Sequence, residues 1–297
     1  MKIFVTGVGG QLGYDVMNEL AKRGHECIGS DILDKEKIKQ SYEYRQLDIT
    51  DEYAVEKVIS EVLPDAVIHC SAYTAVDRAE DEPELCHLVN AVGTENVAKA
   101  CRRVDAKMIY ISTDYVFDGT KNGFYEIDDI PNPINVYGKT KLAGERAVQE
   151  ILDKYFIVRI SWVFGENGNN FVETMLRLGK ERSELNVVAD QIGSPTYTAD
   201  LAPLLIDMIQ TDKYGIYHAT NEGECSWAEF AEEIFKVAGM NVKVNHIITT
   251  EYPTKAKRPM NSRMSKEKLD NSGLKKLRSW EEAVRVYLES ILCNTII

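Results

Sequence analysis

The chain has 297 residues, 44% of them hydrophobic and 28% charged, enough for two modest domains or one large α/β domain, and a composition that excludes collagen-like, low-complexity and disulfide-scaffold proteins. Its 35 Lys and Arg stand against 47 Asp and Glu, a net charge of −12, which repels nucleic-acid phosphates and anionic lipid and argues against both as partners. The cysteines, Cys27, Cys70, Cys86, Cys101, Cys225 and Cys293, form no C-x-x-C pair and read as reduced thiols. Few apolar residues precede the first glycines, and nowhere do about 18 run together, so neither a signal peptide nor a spanning helix is expected. A cytoplasmic protein follows.

In chain order, strands are expected at Lys2–Thr6, Glu26–Ser30, Ala66–Ser71, Met108–Ser112 and Phe156–Ile160. Helical spacing lies between them: Leu12, Val16 and Leu20; Ala54, Val58 and Ile59; Leu85, Leu88, Val89 and Val92. All three groups read as helices packing on a sheet. This alternation is that of βαβ units, and a continuous apolar run such as Ala66-Val67-Ile68 suits a parallel strand covered on both faces. After about residue 165 the alternation loosens into a Gly/Asn loop and then a helix with Phe171, Met175 and Leu178. Further helices are read at Ala199–Ile209 and Trp227–Ala238, and Gly215–Ala219 reads as a strand able to rejoin the first sheet. Pro253–Arg263 is basic and Pro-interrupted, hence a loop.

Three segments carry chemistry. Gly7-Val8-Gly9-Gly10-Gln11-Leu12-Gly13 follows the first strand and opens the first helix, where free N–H groups and the helix dipole favour a pyrophosphate. It fits G-x-x-G-x-x-G through Gly7, Gly10 and Gly13 and fails G-x-G-x-x-G; a tight turn with no ligand is the plainer alternative. Asp31 closes the second strand roughly 20 residues on, where an acid bonds the adenosine ribose, although acids are common after strands. Lys35 and Lys37 stand near enough to offset a 2′-phosphate, so dual coenzyme use is expected. Tyr137-x-x-x-Lys141 puts a phenol and an ammonium on one helical face, and a neighbouring cation favours the phenolate. Alone this is often surface decoration; here it comes one αβ unit after Ile111-Ser112-Thr113-Asp114, whose strand end opens on the ligand crevice of such sheets.

Together with Ala72-Tyr73-Thr74-Ala75-Val76-Asp77, Ser112–Phe117, Asn135–Glu145, Ser161–Phe164, Arg258-Pro259 and Asn261–Arg263, these segments resemble the extended short-chain dehydrogenase/reductases over nearly the whole chain, and within them the dTDP-4-dehydrorhamnose reductase family. The resemblance implies a Rossmann-like doubly wound α/β sheet with a smaller C-terminal α/β substrate domain: residues 1–165 for the dinucleotide, about 196–220 returning to that unit, and 166–297 for the substrate. It implies NADPH or NADH reducing the C4 ketone of dTDP-4-dehydro-β-L-rhamnose. Tyr137 would give the proton, Lys141 would hold the nicotinamide ribose and lower the Tyr137 pKa, and Thr113 would bond the reacting oxygen. Coenzyme contacts are implied for Gly7, Gly10, Gln11, Leu12, Gly13, Asp31, Asp48, Ile49, Ala72, Tyr73, Thr74 and Ile111, as well as for Tyr137 and Lys141. Substrate contacts are implied for Val76, Thr113, Asp114, Tyr115 and Trp162.

Trp162 read alone is as well a core or rim aromatic. Arg258 and Arg263 are candidates for clamping a diphosphate, or else ordinary cations of an exposed loop. The resemblance also raises a homodimer assisted by a metal such as Mg2+. Asp15 stands where an acidic ligand would be, yet an acid in a first helical turn also simply complements the dipole. The alternatives to this reductase are a reductase or epimerase of another nucleotide sugar and a non-catalytic regulatory subunit of the same fold, the second opposed by the intact Thr113, Tyr137 and Lys141.

Overall fold

The computed structural model describes residues 1–293, with side chains up to Ile291, so the Cys293 thiol lies outside the described part. The amino-terminal half alternates β1 (Lys2–Thr6), α1 (Gln11–Lys22), β2 (Glu26–Asp31), β3 (Glu43–Gln46), α2 (Glu52–Val62), β4 (Ala66–His69), α3 (Val76–Ala79), α4 (Pro83–His87), a π-helical segment Leu88–Val92, α5 (Gly93–Arg103), β5 (Lys107–Thr113), α6 (Val136–Ile151) and β6 (Tyr155–Ile160). The remainder runs β7 (Val163–Phe164), α7 (Phe171–Glu181), β8 (Glu184–Val188), β9 (Ile192–Gly193), β10 (Thr196–Tyr197), α8 (Thr198–Ile209), β11 (Gly215–His218), β12 (Cys225–Ser226), α9 (Trp227–Val237), β13 (Lys243–Ile247), β14 (Asn261–Ser262), α10 (Glu267–Asn271) and α11 (Trp280–Cys293).

Seven strands form one parallel sheet in the order β11-β6-β5-β4-β1-β2-β3. The chain starts in the middle, works out to β3, then crosses back to build β4, β5, β6 and finally β11, which pairs with β6 from Gly215↔Phe156 to His218↔Arg159. Crossover helices cover both faces. Val16 and Leu20 of α1 meet Leu201 and Leu205 of α8 over one face, while Val55 and Ile59 of α2, Val97 and Cys101 of α5 and Val148 of α6 cover the other. A third apolar cluster, centred on Phe164, Phe230 and Tyr287, binds α9 and α11 to β7. The five cysteines whose side chains are described carry free thiols.

Two local expectations are corrected. Strand β4 stops at His69 rather than Ser71, because the Ser71 amide donates to Thr6 Oγ1 (3.3 Å) and the chain turns beside the glycine loop. Leu85 and Leu88 do not pack on the sheet but are exposed. The π-helical segment resets the helical phase, so the inward face is Cys86, Asn90, Ala91 and Val97. Burial of Asn90 is permitted because its amide accepts from Tyr73 N (2.8 Å) and donates to Tyr73 O and Thr140 Oγ1, both at 3.1 Å.

Helix α6 sits close against this neighbour. A Cβ on Gly144 would stand 2.4 Å from Tyr110 Oη and 2.6 Å from Asn90 O, distances no real Cβ tolerates. Gly144→Ala therefore forces α6 away from β5 and the π segment. Such overpacking lowers unfolding stability by about 1–3 kcal/mol, measurable by urea titration; unchanged stability would show that the contact yields freely.

Candidate active site

A cleft of about 670 Å³ opens along the carboxyl ends of the parallel strands and runs from Asp31 and Asp48 past the glycine turn to Tyr137, Lys141 and Trp162. At its floor Gly7 holds φ +73°, and a Cβ there would lie 2.6 Å from Ser71 N. A Cβ on Gly13 would lie 2.2 Å from Gly7 O. Both positions need glycine for close approach, and Gly10 caps α1 with no side-chain hydrogen bond, so the first-turn N–H groups face an open cradle suited to a pyrophosphate.

Gly10, Gln11, Leu12, Ile49, Ala72, Thr74 and Ile111 line this cleft, and so do Val76, Thr113, Asp114 and Tyr115. Asp31 Oδ2 accepts from Gly9 N (2.9 Å) and Oδ1 from Leu33 N (3.2 Å), which fixes its carboxylate at the rim. Asp48 Oδ1 accepts from the Thr50 amide and hydroxyl. Tyr73 is not among the residues lining the cleft: its hydroxyl donates to Glu82 (2.8 Å) and its backbone is held by Asn90. Lys35 also differs, donating to Tyr42 O (2.8 Å) and covering the Tyr42 and Tyr44 rings, while Lys37 pairs with Asp34 at 3.5 Å. Both ammonium groups are therefore engaged within the β2–β3 connection.

Sequence reasoning passed over the clasp above the turn. Asn167 Nδ2 donates to Gly9 O (2.9 Å), and Asn170 Nδ2, from the residue that caps α7, donates to Gln11 Oε1 (3.2 Å). The segment 165–170 had been legible only as a loop, since an amide reaching a carbonyl far away in sequence leaves no local pattern.

The reacting end is built by β5 and α6. Asn135 starts α6, its Oδ1 accepting from Gly138 N (2.7 Å) while its Nδ2 donates to Lys257 O (2.8 Å). Tyr137 and Lys141 follow on one face. Thr113, the last residue of β5, donates to Asp114 Oδ1 (3.0 Å) and accepts from Tyr115 N. Asp114 is 2% exposed, and its Oδ2 is buried without a partner; burial pushes this carboxyl up to about 6. The Tyr137 phenol is pushed above its ordinary value by burial and by the Asp114 charge, with Thr113 working the other way. That corrects the expected lowering by Lys141. Lys141 is itself 2% exposed, and burial takes it down to about 7 against the pull of Glu145. Its ammonium lies 4.2 Å from the centre of the Tyr110 ring.

Trp162 forms one wall with φ +50°, a left-handed conformation uncommon for a bulky residue. It is held there by Trp227, stacked at 3.8 Å and 17°, and Trp227 in turn meets Phe171 at 4.6 Å. Trp227 had no signal beyond its place at the start of a helix. The two arginines stand outside the cleft lining. Arg258 forks onto Asp77 (3.1 and 2.8 Å), and Arg263 bonds Asn261 Oδ1 (2.8 Å) with Glu224 at 3.4 Å. Asp15 is buried and accepts from Thr198, and burial raises it to about 6. Among the described residues no three His, Cys, Asp or Glu gather as metal ligands, and no described helix is long and apolar enough to cross a membrane.

Residues 1–293 match the family model of the RmlD substrate binding domain. A dTDP-4-dehydrorhamnose reductase of Aggregatibacter actinomycetemcomitans is 41% identical, covering 97% of this chain and 99% of its own. The solved structure of a dTDP-4-dehydrorhamnose reductase from Clostridium acetobutylicum superposes with a TM-score of 0.92 at 42% identity, over 98% of this chain and all of its own. One from Bacillus anthracis, in complex with NADP, gives 0.87 at 44% identity over 97% of this chain and 99% of its own. Its sheet order, its glycine turn and its Thr113, Tyr137 and Lys141 at one end of one cleft agree with that match, and the chain belongs to the RmlD family, the family of the dTDP-4-dehydrorhamnose reductases.

Proposed function

We propose that this protein is an NAD(P)H-dependent oxidoreductase that reduces the C4 ketone of dTDP-4-dehydro-β-L-rhamnose to dTDP-β-L-rhamnose, the last step of dTDP-L-rhamnose synthesis for polysaccharide. The observation that carries this reading is the meeting of Tyr137, Lys141, Thr113 and Asp114 at the far end of a cleft that begins at an uncapped glycine turn. The cradle left by Gly7, Gly10 and Gly13 and the buried ammonium of Lys141 fit a nicotinamide dinucleotide. When bound, that coenzyme supplies the hydride.

The chain's own residues handle the proton and the geometry. Tyr137, held above the ordinary phenol range, keeps its proton at neutral pH and donates it to the oxygen formed at C4, an acceptor far more basic than a phenolate. Lys141 holds the ribose. Thr113 redirects its hydroxyl from Asp114 to the reacting oxygen, and Asp114, whose Oδ2 has no protein partner, accepts a sugar hydroxyl. Trp162 supplies a flat wall for the sugar ring. Residues 1–165 with 196–220 form the coenzyme unit and 166–297 the substrate unit in this proposal, supported by β11 joining the central sheet and by the separate apolar cluster of α9 and α11. The enzyme works in the cytoplasm as a homodimer, on a dTDP-sugar.

The direct test is incubation of the purified protein with NADPH and a panel of 4-keto nucleotide sugars, with products identified by NMR. Turnover of the rhamnose precursor is expected, and none would sink the proposal. Tyr137→Phe removes the acid and keeps the ring, so kcat should fall by about 10²–10⁴ while coenzyme still binds; a wild-type rate would place the proton donor elsewhere.

Asp31 presents its carboxylate at the rim with Lys35 and Lys37 engaged elsewhere, so a 2′-phosphate meets an uncompensated negative charge. In Asp31→Ala the ratio of kcat/KM for NADPH over NADH should rise by about tenfold, the equivalent of 1.4 kcal/mol. An unchanged ratio means that the carboxylate serves only Gly9 and Leu33.

Arg258 bridges the Val76-Asp77 segment and the loop bound to the cap of α6, which places a cation beside Tyr115. Its pairing with Asp77 holds that carboxyl below its usual range. If it reads the sugar diphosphate, Arg258→Ala raises KM for the sugar with little change in kcat, and the KM becomes less salt-dependent. Equal KM and equal salt dependence would leave it a structural tie.

A further inference from the structure

Lys141 makes no hydrogen bond through its ammonium to any described residue; it faces the Tyr110 ring and is almost fully buried. A buried, unpaired cation is costly and tends to shed its proton, so a nearby charge decides how far it stays an ammonium. One helical turn further along α6 lies Glu145, 1% exposed. Its carboxylate is used up inside the protein: Arg159 on β6 forks onto both oxygens, Nε to Oε1 at 2.9 Å and Nη2 to Oε2 at 2.8 Å, and Ser112 Oγ donates to Oε1 at 2.5 Å. Arg159 is anchored in turn, with Nη1 3.4 Å from His218 Nε2, while His218 Nδ1 lies 3.1 Å from Ser265 O. With Nδ1 donating to that carbonyl, Nε2 accepts from Arg159.

We propose that Glu145, clamped by Arg159 and Ser112, is a positioning residue for Lys141, holding its ammonium charged through space without taking any of its three N–H donors from the ligand. The proposal rests on the reading of Lys141 as the residue that grips the coenzyme ribose. Burial shifts the other titratable groups around Lys141 toward their uncharged forms: His69 at the end of β4 is driven down to about 3, the Cys70 and Cys86 thiols are raised, and Tyr110 on β5 and Tyr137 on α6 are raised as well. Glu145 makes the largest charge contribution in favour of the ammonium. Arg159 acts as the counterweight. It keeps the carboxylate ionised and draws its field away from Lys141, so the strength of the clamp sets how far the ammonium survives as pH rises.

The test is NADPH affinity of the full chain between pH 6 and 9, followed by coenzyme fluorescence. A group whose pKa is lowered by burial loses its proton as pH rises, so wild-type affinity should fall along an alkaline limb. Glu145→Gln should move that limb to lower pH by about one unit or more, and Glu145→Asp should restore it. Arg159→Gln, which frees the carboxylate, should move it the opposite way. A folded Glu145→Gln protein with the wild-type limb overturns the proposal, since a purely structural pair has no reason to shift it. If that variant does not fold, Glu145→Gln with Arg159→Gln removes the stranded cation, and the limb should still move to lower pH. If neither folds, Ser112→Ala decides: loss of one hydrogen bond from Oε1 should shift the limb alkaline, and a fixed limb refutes the clamp. Failure of the wild-type protein to bind NADPH at any pH would instead remove the coenzyme reading itself.

Discussion

A parallel sheet constrains everything else in this molecule. Each strand must be re-entered from the same end, so every crossover helix lies on a face and every strand's carboxyl end opens on the same edge. That is why the glycine turn after β1, Asp31 at the end of β2, Ala72 after β4 and Thr113 at the end of β5 border one cleft although they are scattered over about a hundred residues. The order reverses between β1 and β4, and the crevice at such a reversal is where ligands of open α/β sheets bind. The remaining walls come from β7, with Trp162 just before it, and from the clasp of Asn167 and Asn170.

Within that frame the reacting groups are buried, and their electrostatics follow from burial more than from pairs in contact. Burial raises Tyr137 and Asp114 and lowers Lys141 together, so each moves toward its uncharged form. Charge enters this interior chiefly as the Glu145 and Arg159 fork, at 1% and 2% side-chain exposure. Replacing one partner of such a pair leaves the other stranded, whereas the intact pair offers little net stability. Its place one helical turn from Lys141 is what the proposed positioning role of Glu145 accounts for.

Much of the fold was legible because parallel strands are apolar on both faces and their crossover helices repeat at i, i+3 and i+4, as Val16 and Leu20 do. What misled was Leu85, Leu88, Val89 and Val92: a periodic reading assumes 3.6 residues per turn throughout, and a π segment breaks it, turning Leu85 and Leu88 outward and Asn90 in. The meeting of Thr113, Tyr137 and Lys141 in one cleft was legible since their spacing is local and their context is a strand end. The direction of the Tyr137 shift was not, because adjacency in sequence suggests a charged lysine, while burial of both groups dominates in space. Trp227 and Asn167 act across long stretches of chain, and the clamp on Glu145 comes from β5 and β6, so no local pattern marks these contacts.

The two rims of the sheet are finished differently, and this bears on how the protein survives at high concentration. Strand β11 lies under α10, with Lys268 4.5 Å above the centre of the Tyr217 ring. Among the described residues no strand pairs with the outer edge of β3, and an unpaired edge is a template on which another chain could grow a strand. It is only four residues long, Glu43-Tyr44-Arg45-Gln46, and Glu43 and Arg45 form an exposed pair at 2.8 Å. Its shortness and its exposed charges make it a poor template, since a long, flat, uncharged edge is what recruits another chain.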